Sequence, residues 1–320
     1  MPLRHGETIL DRRLVFVTGK GGVGKTSIAA ALGELSARRG QRTLICEMDA
    51  KGAIAEAFDV SALAFEPRTV DHRLDVMAMN TEDAMREYLR VYVKVPLLGK
   101  IGPLARTFDF VADAAPGVKE VLAIGKLCFE VREARYDLVI VDAEATGHVV
   151  AQLAAPRIIR DLAQVGLVRE QADWMLDLLL DPDVTGVAVV ATPEEMPVTE
   201  AIALTGRLED EVGIRPAVVF ANRVLPDRLD EAGRTVLDRL DEVDPLLVAA
   251  AGTGVRTVVA AARIAEARRR TGAAHLDRLR TTLPDVDVVE VPELFTRATG
   301  RRVVSLLADA LDDVLPRKAA

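Results

Sequence analysis

Cysteine, aromatic residues and excess basic charge are all scarce in this chain of 320 residues. Its two cysteines, Cys46 and Cys128, are too few for a disulfide framework or for a four-thiolate zinc site. Lysine and arginine total 41 against 49 aspartate and glutamate, a net charge of −8 that disfavours nucleic acid as a partner. No apolar run reaches the roughly 18 residues of a membrane span, and residues 1–13 lack a signal-peptide core. These absences predict a soluble, cytoplasmic protein.

Apolar residues, by contrast, are plentiful: half of the chain is hydrophobic, enough for a sizeable core. Short apolar runs alternate with helical patterns along the sequence. Strands that are apolar on both faces and separated by helices are typical of a parallel sheet covered on both sides. The sequence therefore predicts an α/β fold with a doubly wound, mostly parallel sheet. The predicted strands are residues 14–17, 43–46, 74–79, 138–141, 187–190, 217–220 and 286–291.

Two stretches do not fit the alternation of strand and helix. Residues 81–133 and 151–182 carry helical patterns, and the first is interrupted by several prolines and glycines. We expect both to form a helical subdomain inserted into a single domain that spans residues 1–320. The alternative is that they are ordinary crossover helices.

A glycine-rich loop follows the first predicted strand. Residues 19–26 read Gly-Lys-Gly-Gly-Val-Gly-Lys-Thr and match G-x-x-x-x-G-K-[ST] between a strand and a helix, the context that this motif requires. Its glycines let backbone N–H groups approach phosphate oxygens. Lys25 supplies a positive charge to the β- and γ-phosphates, and the Thr26 hydroxyl can ligate Mg²⁺. The loop therefore predicts a mononucleotide site.

A dinucleotide site is the alternative interpretation of the same loop. Gly19, Gly21 and Gly24 also satisfy G-x-G-x-x-G, and the acidic residues Glu47 and Asp49 follow at about the right distance. That pattern alone is weak and does not require the Lys-Thr pair at its end. We therefore favour the mononucleotide.

Lys20 adds information about the class of ATPase. A lysine directly after the first glycine resembles the deviant phosphate loop of the MinD, nitrogenase iron protein and ArsA group. In that group the lysine reaches across a dimer interface toward the partner's nucleotide, as an arginine finger does. The resemblance implies a dimer. The alternative is a solvated loop lysine.

Several segments resemble the ArsA family, which contains arsenical-pump ATPases and tail-anchored-protein targeting ATPases. Residues 142–148, Asp-Ala-Glu-Ala-Thr-Gly-His, are similar to its Asp-Thr-Ala-Pro-Thr-Gly-His signature. Residues 47–58 are similar to its Asp-Pro-Ala-His switch, with Ala50 in place of proline and Gly52 in place of histidine. Weaker similarities cover residues 115–120, 220–222 and 291–294.

The family resemblance implies roles for individual residues. Asp49 would orient the attacking water, with Lys20 and Lys25 completing the catalytic set, and a strand-end helix cap is the alternative for Asp49. Thr26 would bind Mg²⁺ directly and Asp142 through a water. The implied nucleotide-binding residues are Gly19, Lys20, Gly21, Gly22, Val23, Gly24, Lys25, Thr26, Ser27, Gly147, Asn222, Pro292 and Glu293.

Within that set, Gly147 would sense the γ-phosphate, and Asn222, Pro292 and Glu293 would lie at the adenine. A strand-capping role is the alternative for Asn222. Glu144, which stands where the family signature has alanine, would either tune the site or face solvent.

The resemblance predicts an ATP hydrolase that uses ATP and Mg²⁺ and works as a homodimer or as a heterodimer with a paralogue. Closing and reopening of the dimer would handle a hydrophobic client such as a membrane-protein segment, so the protein would be cytoplasmic or peripheral at a membrane. The energising subunit of an anion pump and a MinD-like positioning ATPase are alternatives. Arsenite is disfavoured as the anion, because two isolated thiols give too few soft ligands.

Overall fold

A computed structural model describes residues 7–49, 51–93, 117–163 and 165–316 of the chain. At its centre lies one sheet of eight strands. The strands are β1 (Leu14–Gly19), β2 (Thr43–Glu47), β3 (Arg68–Asp71), β4 (Leu74–Ala78), β5 (Leu138–Ala145), β6 (Thr185–Ala191), β7 (Val218–Val224) and β8 (Asp287–Pro292).

The strand order is β3-β4-β2-β5-β1-β6-β7-β8. Each neighbouring pair runs parallel except β3 and β4, which are antiparallel. Every residue of β1, β2 and β6 is buried, because helices cover both faces of the sheet. The arrangement confirms the predicted doubly wound, mostly parallel α/β sheet and all seven predicted strands.

The edge strand β3 was not predicted. It has only four residues, and the side chains of Arg68 and Thr69 are exposed. An edge strand that is largely solvated has no apolar run, so its sequence does not differ from that of a polar loop.

Helices fill the connections between strands. Those in the described residues are α1 (Lys25–Arg38), α2 (Ala53–Ala57), α3 (Thr81–Tyr88), α4 (Val118–Arg132), α5 (Thr146–Leu162), α6 (Leu167–Leu180), α7 (Glu195–Arg207), α8 (Glu231–Arg239), α9 (Asp244–Ala251), α10 (Val255–Thr282) and α11 (Gly300–Val314). Single turns of 3-10 helix at Ile9–Asp11 and Leu240–Val243, and of π-helix at Leu89–Val93 and Leu208–Val212, accompany them.

Two hydrophobic cores lie on the two faces of the sheet. Phe16 and Val17, adjacent on β1, belong to opposite cores, as the alternation of side chains along a strand requires. Helices α1 and α11 pack together in the core that contains Val17. Residues of α4, α5, α6 and α7 fill the other core.

The two helical stretches that interrupted the sequence pattern lie next to each other. α4 packs against α3, α5 and α6, and α5 packs against α6. The Arg132 guanidinium lies 4.8 Å from the centre of the Trp174 ring and joins α4 to α6. Residues 94–116 of the predicted helical subdomain lie outside the described residues, and its status as a separate unit stays a prediction. In the described part of the chain, no helix combines the length and apolarity that crossing a bilayer requires.

Candidate nucleotide site

The glycine-rich loop joins the end of β1 to the start of α1. A Cβ on Gly19 would lie 2.2 Å from the Val190 carbonyl oxygen of β6, a distance that no side chain tolerates. Gly22 and Gly24 have φ angles of 87° and 94°, in the left-handed region that favours glycine. Gly19, Gly22 and Gly24 are therefore required by the shape of the loop itself. Val23 between them is buried in the core that contains Val17.

Asn222 braces this loop from the end of β7. Its Nδ2 donates a hydrogen bond of 2.8 Å to the Val23 carbonyl oxygen, and its Oδ1 accepts one of 3.0 Å from the backbone N–H of Arg223. The side chain is buried, and a Cβ on Gly24 would lie 2.4 Å from its Nδ2. This hydrogen bond from Asn222 to the phosphate loop was not predicted from the sequence. The predicted contact with adenine stays a prediction.

Lys25 opens α1, followed by Thr26 and Ser27 in the same turn. The Nζ of Lys25 donates a hydrogen bond of 3.2 Å to the Lys20 carbonyl oxygen, so the side chain folds back over the loop. Burial lowers the pKa of Lys25, and the nearby negative charge of Asp142 opposes that shift. A partly desolvated cation at the N-terminus of a helix favours an anion such as a phosphate.

Thr26 and Asp142 meet across α1 and β5. The Thr26 Oγ1 donates a hydrogen bond of 2.7 Å to Asp142 Oδ2, while Asp142 Oδ1 is buried and has no hydrogen-bond partner among the described residues. Burial raises the pKa of Asp142 to about 6, against the lowering effects of the Thr26 hydrogen bond and of Lys25. A hydroxyl beside a carboxylate with an unpartnered oxygen fits Mg²⁺, which prefers hard oxygen ligands.

Asp49 follows β2 and lies near the same edge of the sheet. Its carboxylate is 45% exposed and forms an ion pair with Lys51. Helix α2 begins after Gly52, which has a φ of 82° and provides no side-chain cap. The alternative that Asp49 caps a helix is therefore wrong. The substituted position 50 lies outside the described residues.

Lys20 has a partner within its own chain. Its Nζ lies 2.5 Å from Oε1 of Glu200 on α7, and both side chains are partly exposed. Lys20 is therefore held by a partly exposed ion pair in its own chain, and its reach across a dimer interface stays a prediction. Glu200 was not identified from the sequence, since no motif links two residues 180 positions apart.

Glu144 faces the first turns of α5, the helix that follows it. Its Oε1 accepts a hydrogen bond of 3.1 Å from Gln152 Nε2, and its Oε2 lies 3.4 Å from His148 Nδ1. Its backbone carbonyl accepts a hydrogen bond from the Thr18 hydroxyl at 3.2 Å. Gly147 lies in the first turn of the same helix. Glu144 thus ties the end of β5 to α5 and to the strand before the phosphate loop.

Pro292 and Glu293 lie beside the end of β7, and their predicted contact with adenine stays a prediction. Together with Arg223 they line a cavity of about 910 Å³, and the Glu293 N–H donates a hydrogen bond of 2.9 Å to the Val224 carbonyl oxygen. The cavity is also bordered by α10.

Both cysteines are core residues. Cys46 and Cys128 are fully buried, and burial raises the pKa of each thiol, which disfavours the reactive thiolate. Over residues 7–49, 51–93, 117–163 and 165–316, no group of three or more histidine, cysteine, aspartate or glutamate side chains is arranged to hold a metal ion. The thiols are therefore not placed as a surface metalloid site.

Glu47 is the site residue whose role the sequence did not reveal. In the sequence it is an acidic residue at about the right distance for a dinucleotide site and the first residue of the segment similar to the family switch, with no role of its own. In the structure it ends β2 as a buried carboxylate, and its Oε1 accepts a hydrogen bond of 2.8 Å from the backbone N–H of Ala53, the first residue of α2. A charged residue at the end of a buried strand was the only available signal.

Comparison with known proteins agrees with this geometry. The family model for anion-transporting ATPases matches residues 12–171 and 160–244. ATPase BagA of Mycobacterium tuberculosis is 31% identical over 232 residues, which cover 68% of this chain and 67% of BagA. An ATPase ASNA1 homolog of Entamoeba dispar is 34% identical over 169 residues, 51% of each chain. A Halobacterium salinarum protein whose name contains the words arsenical pump-driving ATPase is 29% identical over 239 residues, 68% of this chain and 36% of that protein.

Proposed function

Because this chain belongs to the anion-transporting ATPase family, and is therefore an ATP hydrolase, we propose that it works as a dimer. ATP binding closes two subunits around nucleotide and hydrolysis reopens them, and this switching handles a hydrophobic client. The observation that carries the proposal is the phosphate loop between β1 and α1, with Thr26 hydrogen-bonded to Asp142 at 2.7 Å. A nucleotide-binding loop and a candidate magnesium carboxylate are thereby in direct contact.

ATP binds with its phosphates in the loop of residues 19–26. Backbone N–H groups of the loop and the start of α1 hold the phosphate oxygens, and Lys25 neutralises the terminal phosphates. Thr26, and Asp142 through a water, hold Mg²⁺, which neutralises charge on the β- and γ-phosphate oxygens when it is bound. Pro292 and Glu293 lie beside the base in the cavity next to β7.

Asp49 orients the attacking water for hydrolysis. This role is supported by the position of the carboxylate, which is partly exposed at the edge of the sheet that carries the phosphate loop. The carboxylate does not cap a helix. Its ion pair with Lys51 joins two well-exposed side chains and is therefore weak, so Asp49 can exchange that partner for water. Gly147, in the first turn of α5, responds to the γ-phosphate through its backbone N–H.

Lys20 acts on the nucleotide of the other subunit. In a single chain its charge is already neutralised by Glu200, so reaching a partner requires the lysine to leave α7. A second copy of this chain or a paralogue can supply the other half of such a dimer. Dimer closure and release of Lys20 from Glu200 are then parts of the same step.

The client-binding surface lies on the helices beside the sheet. At the junction of α5 and α6, large apolar side chains are 45–85% exposed. We call these residues the α5–α6 apolar patch: Ile158, Leu162, Val165, Leu167 and Val168. All five lie within residues 158–168, and exposed apolar side chains that cluster mark a surface for protein or membrane contact. A cavity of about 230 Å³ opens nearby between α3, α4, α5 and α6, and its lining is mostly apolar.

A hydrophobic membrane-protein segment is the client that this patch fits best, because a helix of that kind presents apolar side chains along its length. On this proposal the protein works in the cytoplasm and meets the membrane peripherally. The second candidate function, energising an anion pump, is favoured by the name of the family and by that of the Halobacterium relative. Arsenite is disfavoured as its anion, since both thiols are buried.

Binding of a fluorescent apolar helical peptide tests the client proposal. The wild type should bind the peptide in a nucleotide-dependent manner, and Leu162→Asp with Val165→Asp should weaken binding by about tenfold, since two apolar contacts are lost. Val258→Asp on α10, another exposed valine, is the matched control and should bind normally. Equal binding by the patch variant and the wild type would show that the α5–α6 apolar patch is not the client-binding surface. That result would favour the second candidate function, energising an anion pump.

A further inference from the structure

Lys51 stands at a position where the family pattern has alanine. Residues 49–52 read Asp-Ala-Lys-Gly, against the Asp-Pro-Ala-His of the family switch. Glu144 likewise replaces the first alanine of the Asp-Thr-Ala-Pro-Thr-Gly-His signature. This chain therefore adds two opposite charges to the pattern, one just after β2 and one at the end of β5. Neither charge belongs to the nucleotide site that the family resemblance implies.

The segment that carries Lys51 lies against the part of β5 that meets the phosphate loop. β2 and β5 are parallel neighbours, and the Met48 N–H donates a hydrogen bond of 3.1 Å to the Asp142 carbonyl oxygen. The Asp142 carboxylate is in turn bonded to Thr26 of the phosphate loop. Burial lowers the pKa of Lys25, and the positive charge of Lys51 adds to that lowering. Lys51 is therefore within electrostatic reach of the lysine that neutralises the terminal phosphates.

The Lys51 ammonium is charged and only loosely held. It pairs with the Asp49 carboxylate, and the two side chains are 75% and 45% exposed. The hydrogen bond and the negative charge of Asp49 raise the pKa of Lys51, and the charge of Glu144 raises it further. An ion pair between exposed side chains is weak, and a lysine carries its charge on a flexible four-carbon stem. The ammonium can therefore change partner without a rearrangement of the backbone.

We propose that Lys51 contacts the γ-phosphate of bound ATP and leaves Asp49 in order to do so. The proposal rests on the proposed function, because the phosphate is the one that the loop of residues 19–26 holds. A terminal phosphate carries more negative charge than a carboxylate and presents three acceptor oxygens, so it competes well for the ammonium. ADP ends at the β-phosphate and leaves the lysine with Asp49.

The change of partner makes Lys51 a detector of the terminal phosphate. With ADP bound, the Asp49 carboxylate keeps its pair with the ammonium. With ATP bound, the ammonium lies on the γ-phosphate, and Asp49 is free to orient the attacking water. The same contact neutralises charge on the γ-phosphate oxygens while the phosphate is transferred to water. Lys51 is then a catalytic residue within its own subunit, whereas Lys20 acts across the dimer.

The affinities of Lys51→Ala for ADP and for a non-hydrolysable ATP analogue are the first test. Calorimetry with Mg²⁺ should show ADP affinity within about twofold of the wild type. Affinity for the analogue should fall by about tenfold or more, the usual effect of losing a hydrogen bond to a charged group. Lys51→Arg should recover part of the loss. Lys119→Ala, at an exposed lysine of α4, is the matched control and should bind both nucleotides normally. Unchanged analogue affinity in Lys51→Ala, or an equal loss for ADP, would overturn the proposal.

The same measurement in the Asp49→Asn background separates a contact with phosphate from an effect that passes through Asp49. Lys51→Ala should still weaken binding of the analogue about tenfold there, because the phosphate contact does not need the carboxylate. Loss of the effect in that background would show that Lys51 acts only through Asp49, contrary to the proposal.

Steady-state hydrolysis by Lys51→Ala with Asp49 intact is the second test. The kcat should fall by about tenfold or more, since a cation at the reacting phosphate is lost. A kcat equal to or above that of the wild type would mean that the lysine merely occupies Asp49, and the proposal would be wrong. If the wild type binds neither ADP nor the analogue, the proposed function itself fails and the proposal falls with it.

Discussion

The Nζ of Lys20 lies 2.5 Å from Oε1 of Glu200, so the lysine that defines the deviant phosphate loop is bound to α7 of its own subunit. This ion pair is an alternative to the proposed contact across the dimer. Its two side chains are 29% and 36% exposed, and partly exposed pairs contribute at most about 1 kcal/mol. The pair can therefore hold the lysine at rest and still release it to a partner's nucleotide.

Glu200→Gln should strengthen nucleotide-dependent dimerisation. Loss of a pair worth up to about 1 kcal/mol makes the free lysine more available and tightens the ATP-bound dimer by up to about fivefold. Sedimentation of the Asp49→Asn background with ATP measures this affinity. Glu211→Gln removes an exposed partner of Arg207 at the end of α7 and serves as the control. A dimer of unchanged or lower affinity would contradict the release of Lys20.

Lys25→Ala should abolish binding of ATP analogues. The loop loses its partly desolvated cation, which pairs more strongly with an anion than a fully hydrated one would. Its N–H groups alone cannot neutralise the terminal phosphates. Isothermal titration with a non-hydrolysable analogue measures the effect, and Lys20→Ala should bind nearly as tightly as the wild type. If Lys25→Ala binds the ATP analogue with unchanged affinity, residues 19–26 are not a phosphate-binding loop. Tight binding of NAD by the wild type would favour the dinucleotide alternative.

Asp49→Asn should leave ATP binding largely intact and reduce turnover by about 100-fold or more, the scale of lost acid–base positioning. The variant should fold normally, because the ion pair that it removes joins two well-exposed side chains. Steady-state hydrolysis rates and calorimetry separate the two effects. Hydrolysis at the wild-type rate would show that Asp49 has no part in the reaction.

Asp142 should make the nucleotide-free, Mg²⁺-free protein less stable as pH rises from about 4 to about 6. Burial raises the folded-state pKa from 3.8 to about 6, so in this window the folded state binds more protons than the unfolded state. Its contribution to the free energy of unfolding therefore falls through the window by roughly 2 kcal/mol.

Denaturant melts of the wild type and of Asp142→Asn across this pH range measure the difference. The variant should show a flatter profile and be the more stable protein above pH 6. Adding Mg²⁺ and ADP to the wild type should reduce the difference, because a cation at the carboxylate favours its charged form. Parallel profiles for the two proteins would mean that Asp142 titrates normally.

Local sequence was sufficient for the parts of the fold and site that depend on neighbours in the chain. The loop of residues 19–26 and the apolar strand before Asp142 are encoded within a few residues, and both were predicted. β3 was missed because a solvated edge strand has no apolar pattern. The contacts of Lys20 with Glu200 and of Asn222 with Val23 join residues 180 and 199 positions apart. Such pairs depend on how α7 packs against β1 and on where β7 lies in the sheet, which no motif records.

Mixing two inactive variants tests the central claim, that each active site combines Asp49 of one subunit with Lys20 of the other. Lys20→Ala and Asp49→Asn should each be inactive alone. A mixed dimer has one complete site, so an equimolar, randomly exchanged mixture should recover about one quarter of the wild-type rate per subunit. A mixture no more active than the sum of its parts would contradict the account.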